Sequence, residues 1–283
     1  MIPPVRIAHR GASGEGLAPE NTLAAFERAI ETGVDAVELD VRATRDGHLV
    51  VLHDAELDRT TDATGPVREL TLDQVRQADA GSWRGEEYRG QRVPTLAEVL
   101  ELCRRRVLVL IEIKADGIAE RTLQVIDDLG AREQVVVQSF TPEIVRRVKV
   151  LQPGIPAALL VGRLPTAPSR LRARRLVTQV LEVGANALAI WHATLTPALI
   201  EEVRKRAVSL WTWTVDEEIV MRDMVLLGVQ GIITNHPDRL NQVLDDLILD
   251  GRLYPPVGRQ RRVRKNRWGR RRQLRKLSGS GAR

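Results

Sequence analysis

The chain has almost no cysteine and no long apolar segment, and each absence excludes a class of protein. Cys103 is the only cysteine in 283 residues, so no intrachain disulfide can form, and its apolar helical surroundings favour a core position. No stretch has the uninterrupted apolar length needed to cross a bilayer. The first residues, Met-Ile-Pro-Pro, lack the basic and apolar regions of a secretory signal. We therefore expect a cytoplasmic protein.

Acidic residues are missing from the C-terminal end. From Arg252 onward there are 13 Lys or Arg and no Asp or Glu, whereas the residues before it hold 30 basic and 37 acidic side chains, a net charge of −7. We expect one domain at residues 1–251 followed by a basic, flexible tail at residues 252–283, because the tail is too poor in apolar residues to form a core. Such a tail could contact RNA or an anionic membrane through its charge and Trp268, or could be solvated without a dedicated partner.

Apolar β-branched runs alternate with amphipathic stretches through residues 1–251. Eight strand–helix units in this length predict an α/β fold, the (β/α)8 TIM barrel. An open doubly wound sheet is the alternative, but no Gly-rich phosphate loop follows the first strand. The predicted strands are 5–8, 36–40, 107–113, 134–139, 157–161, 187–190, 209–214 and 231–234, and the predicted helices are 22–31, 95–104, 118–129, 142–151, 169–183, 196–206, 217–227 and 238–249.

The second unit is interrupted by an insertion. After the strand that ends at Asp40, the chain turns at Asp46-Gly47, a strong hairpin signal, and the next helix begins only after Pro94. We expect a small insertion at about residues 54–94 that either caps the barrel mouth or forms a surface excursion.

Carboxylates lie at the predicted strand ends, where a parallel barrel carries its reactive groups. Glu38 and Asp40 share one face of their strand, about 6.6 Å apart, because alternate strand residues point the same way, and Glu112 ends the next barrel strand. Three converging carboxylates repel one another, and a hard divalent cation relieves this by taking oxygen ligands. An oxygen-rich cluster without a nearby thiol favours Mg²⁺ or Ca²⁺ over zinc.

Cations and histidines accompany these carboxylates. Three carboxylates and a divalent ion sum to −1, and Arg10 with Lys114 brings the site to +1, which suits a singly charged phosphodiester. His9 and His53 remain as proton carriers, one as base and one as acid, for displacement at phosphorus. The sequence leaves open which histidine has which role.

Six short motifs together resemble the glycerophosphodiester phosphodiesterase family. They are His9-Arg10-Gly11, Pro19-Glu20-Asn21-Thr22, Glu38-Leu39-Asp40, His53-Asp54, Glu112-Ile113-Lys114 and Trp213-Thr214-Val215, and their order and spacing match from His9 to about Leu249. The resemblance implies a TIM barrel with a small insertion after the second strand and a divalent ion. It also implies hydrolysis of glycerophosphodiesters to glycerol 3-phosphate and an alcohol, in which a glycerol hydroxyl attacks first and water then opens the cyclic phosphate.

The same resemblance implies a role for each site residue. The metal ligands are Glu38, Asp40 and Glu112, the acid–base pair is His9 and His53, the phosphate contacts are Arg10 and Lys114, and Trp213 walls the glycerol side. Packing within the barrel is the other interpretation of Trp213. The sequence departs from the family at Asp216, where asparagine is common, and at Thr234-Asn235-His236-Pro237.

Other polar residues stay outside this site. Glu20 orients a catalytic group or places a charge at a helix N-terminus. His192 follows the sixth strand, and we expect a simple hydrogen-bonding role for it. We expect His48 and His236 to be exposed.

Three functions of different classes remain open. The first is a metal-dependent phosphodiesterase acting on soluble glycerophosphodiesters. The second is a lysophospholipase D-type enzyme that acts at a membrane surface with the tail as an anchor. The third is an inactive barrel whose tail binds nucleic acid or membrane. No pattern predicts a specific protein partner.

Overall fold

Alternating strands and helices make up the computed structural model, which describes residues 1–254. The predicted flexibility of the tail concerns residues that lie almost wholly outside this range. The described strands are β1 (Val5–Ala8), β2 (Ala36–Ala43), β3 (Leu49–Val51), β4 (Leu108–Ile113), β5 (Val135–Ser139), β6 (Ala157–Val161), β7 (Ala187–Trp191), β8 (Ser209–Trp213) and β9 (Gly231–Thr234). All of them except β3 pair in parallel in chain order, and β9 pairs with β1 to close the barrel. The prediction of a TIM barrel is confirmed.

Helices connect the barrel strands and cover their outer surface. They are α1 (Leu23–Thr32), α2 (Leu72–Gln77), α3 (Leu96–Cys103), α4 (Ala119–Asp128), α5 (Pro142–Leu151), α6 (Arg170–Glu182), α7 (Pro197–Lys205), α8 (Glu218–Leu227) and α9 (Pro237–Leu249). Local sequence sets their ends: the Thr22 side chain accepts a hydrogen bond from the Ala25 amide and caps α1, which ends at Gly33 in the left-handed conformation. Among the described residues, none of the helices combines the length and apolar character needed to cross a bilayer.

Alternate residues of each barrel strand point inward or toward the helices. The inward rows meet in two clusters inside the barrel: Ile7, Ala36, Leu110 and Ile233 on one side, and Ala158, Leu160, Ala187 and Ala189 on the other. The strand residues that alternate with these inward residues point outward and pack with the helices in two larger clusters. The next inward positions toward the carboxyl ends of the strands therefore form the barrel mouth.

The insertion after β2 has a core of its own. β3 runs antiparallel to the end of β2 and carries the chain away from the barrel. The buried residues of this small core are Val50, Leu52, Leu57, Val67, Val75, Ala78, Ala80 and Val93. Because His53 and Arg59 lie at the start of this segment, the insertion contributes side chains to the mouth as well as covering surface.

The described chain remains packed on the barrel after α9. Leu253 is buried and belongs to one of the two large apolar clusters between the strands and the helices, and the Tyr254 amide donates a hydrogen bond to the Met1 carbonyl at 3.0 Å. The packed region thus reaches the last residues that the structure describes.

Candidate active site

Three buried carboxylates meet at the barrel mouth. Glu38 and Asp40 are inward residues of β2, and Glu112 lies beside Asp40 on the neighbouring strand β4. One oxygen of each carboxylate lies within 4.8 Å of an oxygen of each of the others, and none of the three residues is more than 7% exposed. The alternation of β2 and the register between β2 and β4 bring the group together.

This cluster has the electrostatic character of a cation site. Burial, together with Asp40 and Glu112, raises the pKa of Glu38 well above its usual range. Burial and Asp40 also raise the pKa of Glu112 to about 7. Burial acts in the same direction on Asp40, but Arg10 and Lys114 outweigh it and hold the pKa of that carboxyl below its usual value. Burial and mutual repulsion therefore disfavour the ionised forms of Glu38 and Glu112, and a cation bound between the carboxylates would relieve that repulsion.

The spacing of the oxygens fits a hard divalent ion. Mg²⁺ and Ca²⁺ bind oxygens at about 2.1 to 2.6 Å, which places ligand atoms about 3 to 5 Å from one another. Two of the three carboxylates also accept a hydrogen bond from a side-chain amide: Asn21 Nδ2 donates to Asp40 at 2.9 Å, and Gln138 Nε2 donates to Glu38 at 3.2 Å. These two amides fix the orientation of the carboxylates.

Two cations lie against the carboxylates. The Arg10 amide donates to Glu38 at 3.0 Å, while its guanidinium lies 2.7 Å from Glu20 and 3.3 Å from Asp40. Arg10 takes the left-handed conformation, with φ of 56°, and this turn directs its backbone N–H toward Glu38. Lys114 Nζ lies 2.7 Å from Glu112 and 3.4 Å from Asp40. Both groups are placed to bind an anion that approaches the cluster.

The two histidines flank Asp40, whose charge acts on both rings. Nδ1 of His9 lies 2.7 Å from Oδ1 of Asn235, and Nδ1 of His53 lies 2.6 Å from Oδ1 of Asp54. Within the described residues, Nε2 of neither ring makes a hydrogen bond, so each imidazole is held from one side and free on the other. Burial and the neighbouring Arg10 lower the pKa of His9 to about 4. Burial also lowers the pKa of His53.

An aromatic wall faces the carboxylates across the mouth. Trp213, at the end of β8, makes edge contacts with Phe140 at 5.4 Å and Trp191 at 5.7 Å between ring centroids. Trp213 Nε1 is buried and has no hydrogen-bond partner among the described residues. Phe140 is 43% exposed, and Lys114 Nζ lies 5.9 Å from the centroid of its ring. The mouth therefore combines one charged side with one apolar side.

Comparisons with known proteins identify the family of this chain. The model of the glycerophosphoryl diester phosphodiesterase family matches residues 9–239. A glycerophosphodiester phosphodiesterase of Caldanaerobacter subterraneus is 40% identical over 240 residues, which cover 83% of this chain and 95% of the relative. The chain belongs to the glycerophosphoryl diester phosphodiesterase family. It is a phosphoric diester hydrolase of that type.

Solved structures of this family share the fold. The glycerophosphodiester phosphodiesterase of Agrobacterium tumefaciens has a TM-score of 0.72 and 31% identity, and the match covers 84% of this chain and 99% of that one. A phosphodiesterase of Oleispira antarctica, solved in complex with the product sn-glycerol-3-phosphate, has a TM-score of 0.76 and 27% identity, with 86% and 97% of the two chains covered.

Sequence reasoning missed several polar residues at this family member's site. Gln138 and Asn235 continue the inward rows of Val136 and Ile233, so strand alternation could have found both. Asn21 is a candidate cap of the first helix in the sequence, which does not show that its side chain donates to Asp40. No sequence pattern indicates a role for Arg59 at the site, because the local sequence of the insertion does not show which way its side chain points.

The structure also changes the interpretation of other residues. The sequence predicts an exposed His236, but this residue is buried, because its ring occupies the space where Gly14 has no side chain. Glu20, left outside the site, contacts both Arg10 and Arg59. His48 is exposed as expected, and His192 packs against the ring of Trp191.

Proposed function

We propose that the chain hydrolyses glycerophosphodiesters to glycerol 3-phosphate and an alcohol, using a divalent cation held by Glu38, Asp40 and Glu112. The observation that carries this proposal is the convergence of these buried carboxylates beside two cations and two imidazoles at one barrel mouth. The sn-glycerol-3-phosphate bound by the Oleispira antarctica phosphodiesterase supports the same substrate class.

Each polar group has a role in binding the diester. A bound Mg²⁺ or Ca²⁺ would stabilise charge on the phosphoryl oxygens and lower the pKa of the attacking hydroxyl. Arg10 and Lys114 contact the phosphate oxygens, Arg10 through its planar fork and Lys114 as a compact charge. Trp213 covers the glycerol carbons on the apolar side of the mouth.

The partners of the two histidines distinguish their roles. His9 is backed by a neutral amide, so it stays uncharged and accepts the proton of the glycerol hydroxyl as that oxygen attacks phosphorus. His53 is backed by the Asp54 carboxylate, which stabilises its imidazolium form, and it gives a proton to the leaving alcohol oxygen as the P–O bond breaks. Water then opens the cyclic phosphate with the two roles exchanged.

A diester panel tests this function. The purified, metal-free protein is assayed on glycerophosphocholine, glycerophosphoethanolamine and glycerophosphoglycerol with Mg²⁺, with Ca²⁺ and with chelator. We expect release of glycerol 3-phosphate with at least one of the metals and none with chelator. Inactivity of the metal-loaded protein on all three diesters contradicts the proposal.

A second candidate function is cleavage of lysophospholipid headgroups at a membrane surface. Residues 134–181 contain eight Lys or Arg and one acidic residue, Glu143, although the domain as a whole is acidic. At the mouth end of α6, Leu171 is 60% exposed, and Arg174 and Arg175 follow it on the exposed surface. A basic surface with protruding apolar side chains next to the mouth suits an anionic membrane.

Activity assays on vesicles distinguish this candidate from hydrolysis of soluble diesters. Arg174→Glu, and a chain ending at Tyr254, should each lower activity on lysophosphatidylcholine in anionic vesicles but leave glycerophosphocholine hydrolysis unchanged. Arg121→Glu on α4 is the matched control. Equal activity of all variants on vesicles contradicts a membrane role. Salt-sensitive RNA binding by a protein that hydrolyses none of these substrates would instead favour the inactive barrel with a nucleic-acid-binding tail.

A further inference from the structure

Arg59 of the insertion contacts two carboxylates at once. Its Nη1 and Nη2 atoms each donate a hydrogen bond to Glu20 at 2.8 Å, and its Nε atom donates to Oδ2 of Asp54 at 2.5 Å. The other oxygen of Asp54 lies 2.6 Å from Nδ1 of His53. Oε1 of Glu20 accepts a hydrogen bond from Arg10 at 2.7 Å.

We infer that Arg59 is a positioning residue that fixes the acid histidine relative to the phosphate-binding arginine, an inference that rests on the proposed function. His53 reaches the mouth from the insertion, whereas Arg10 follows β1 of the barrel. The chain of contacts from His53 through Asp54, Arg59 and Glu20 to Arg10 spans the boundary between these two parts. Arg59 itself lies behind both groups and need not touch the substrate.

The guanidinium geometry suits this role better than an ammonium does. Its planar fork donates in fixed directions, and here one edge binds Glu20 while Nε binds Asp54. A lysine at this position offers a single nitrogen, so it cannot give Glu20 two parallel hydrogen bonds while a separate atom binds Asp54. The orientation of the His53 ring then depends on the guanidinium of Arg59 as well as on Asp54.

A purely stabilising role explains the arrangement less well. The Arg59 side chain is 47% exposed, and exposed ion pairs contribute little to folding stability. The insertion also has its own apolar core, which does not include Arg59. Because a small misplacement of a catalytic group can cost up to about 10²-fold in rate, the larger effect of Arg59 falls on catalysis.

Kinetics of two variants test the inference. Arg59→Met should lower kcat about 10- to 100-fold with a smaller change in KM, since it misplaces the proton donor, and should lower Tm by no more than about 4 °C. Arg59→Lys keeps the positive charge that Arg59→Met removes, but we expect its kcat to stay as low as that of Arg59→Met. Arg89→Met, which removes an exposed insertion arginine paired with Glu86, is the matched control and should match wild type. Unchanged kcat in Arg59→Met, or full rescue by Arg59→Lys, overturns the inference.

Proton NMR adds a measurement that does not require turnover. The Nδ1–H of His53, held by Asp54, should give a slowly exchanging downfield signal, which Arg59→Met should weaken or remove. The corresponding signal of His9, held by Asn235, serves as the internal control and should persist. Retention of both signals contradicts the inference. If the wild-type protein is inactive on all diesters, the proposed function fails, while this measurement still decides the role of Arg59.

Discussion

The side-chain oxygen of Asn235 lies 2.7 Å from Nδ1 of His9, and contacts with Asp216 fix the orientation of the Asn235 amide. Nδ2 of Asn235 donates to Asp216 at 2.7 Å, and the Asn235 backbone amide donates to the same carboxylate at 2.9 Å. A carboxylate can only accept hydrogen bonds, so the side-chain nitrogen of Asn235 faces Asp216 and its side-chain oxygen faces His9. A neutral His9 therefore carries its proton on Nδ1 and keeps the lone pair of Nε2 for a substrate hydroxyl.

Replacing Asn235 should remove this control of the tautomer. We expect Asn235→Leu to lower kcat about 10- to 100-fold and to change KM less, because His9 still fits the site but no longer holds one tautomer and one orientation. Asn241→Ala on α9, away from the mouth, is the control for loss of a half-buried amide. Steady-state kinetics on glycerophosphocholine measure both, and equal kcat for the two variants argues against the role of Asn235.

Trp213 should affect substrate binding more than folding. Trp213→Ala opens the apolar side of the mouth, and we expect KM to rise about tenfold for the loss of one aromatic contact. Trp213→Phe should retain most of the affinity, since Trp213 Nε1 has no partner among the described residues to lose. A fall in Tm without a rise in KM would instead indicate that Trp213 only packs within the barrel.

Asp54 should make stability depend on pH. Burial raises its pKa, but bonds with Arg59 and His53 outweigh this and lower it from 3.8 to about 2. The stabilisation that ionised Asp54 contributes is therefore complete above about pH 4 and is lost as the pH falls toward 2. We expect Asp54→Asn to be about 1 kcal/mol less stable than wild type at pH 6, a value that allows for solvent screening, and to match it near pH 2.

Denaturant unfolding at both pH values measures this difference. The thermal midpoint of each protein at pH 6 serves to show that the variant is folded. A stability gap that stays the same from pH 6 to pH 2 contradicts the assignment of the effect to the Asp54 carboxylate.

Strand positions and part of the site could be predicted because they follow simple periodicities. Apolar β-branched runs determine the barrel strands, and alternation places Glu38 and Asp40 on one face. Their meeting with Glu112 follows from the neighbouring positions of β2 and β4. The same rule applied to every strand end would have added Gln138 and Asn235.

The remaining features depend on tertiary packing that local patterns do not encode. Arg59 reaches Glu20 only because the small core of the insertion places it beside the first βα loop. His236 precedes Pro237 at the start of α9, and the local sequence does not show whether its ring is covered. It is buried here because Gly14 leaves room for the ring, where a Cβ would lie 2.2 Å from it.

The central claim concerns a metal ion held by three carboxylates, and calorimetric titration of Mg²⁺ and Ca²⁺ into the metal-free protein tests it most directly. We expect one ion per chain for wild type and at least a hundredfold weaker binding for Glu38→Gln, which removes a ligand charge. Glu202→Gln, which alters a buried carboxylate on α7 that pairs with Arg206, is the matched control and should bind like wild type. Equal metal affinity of Glu38→Gln and wild type would contradict the account.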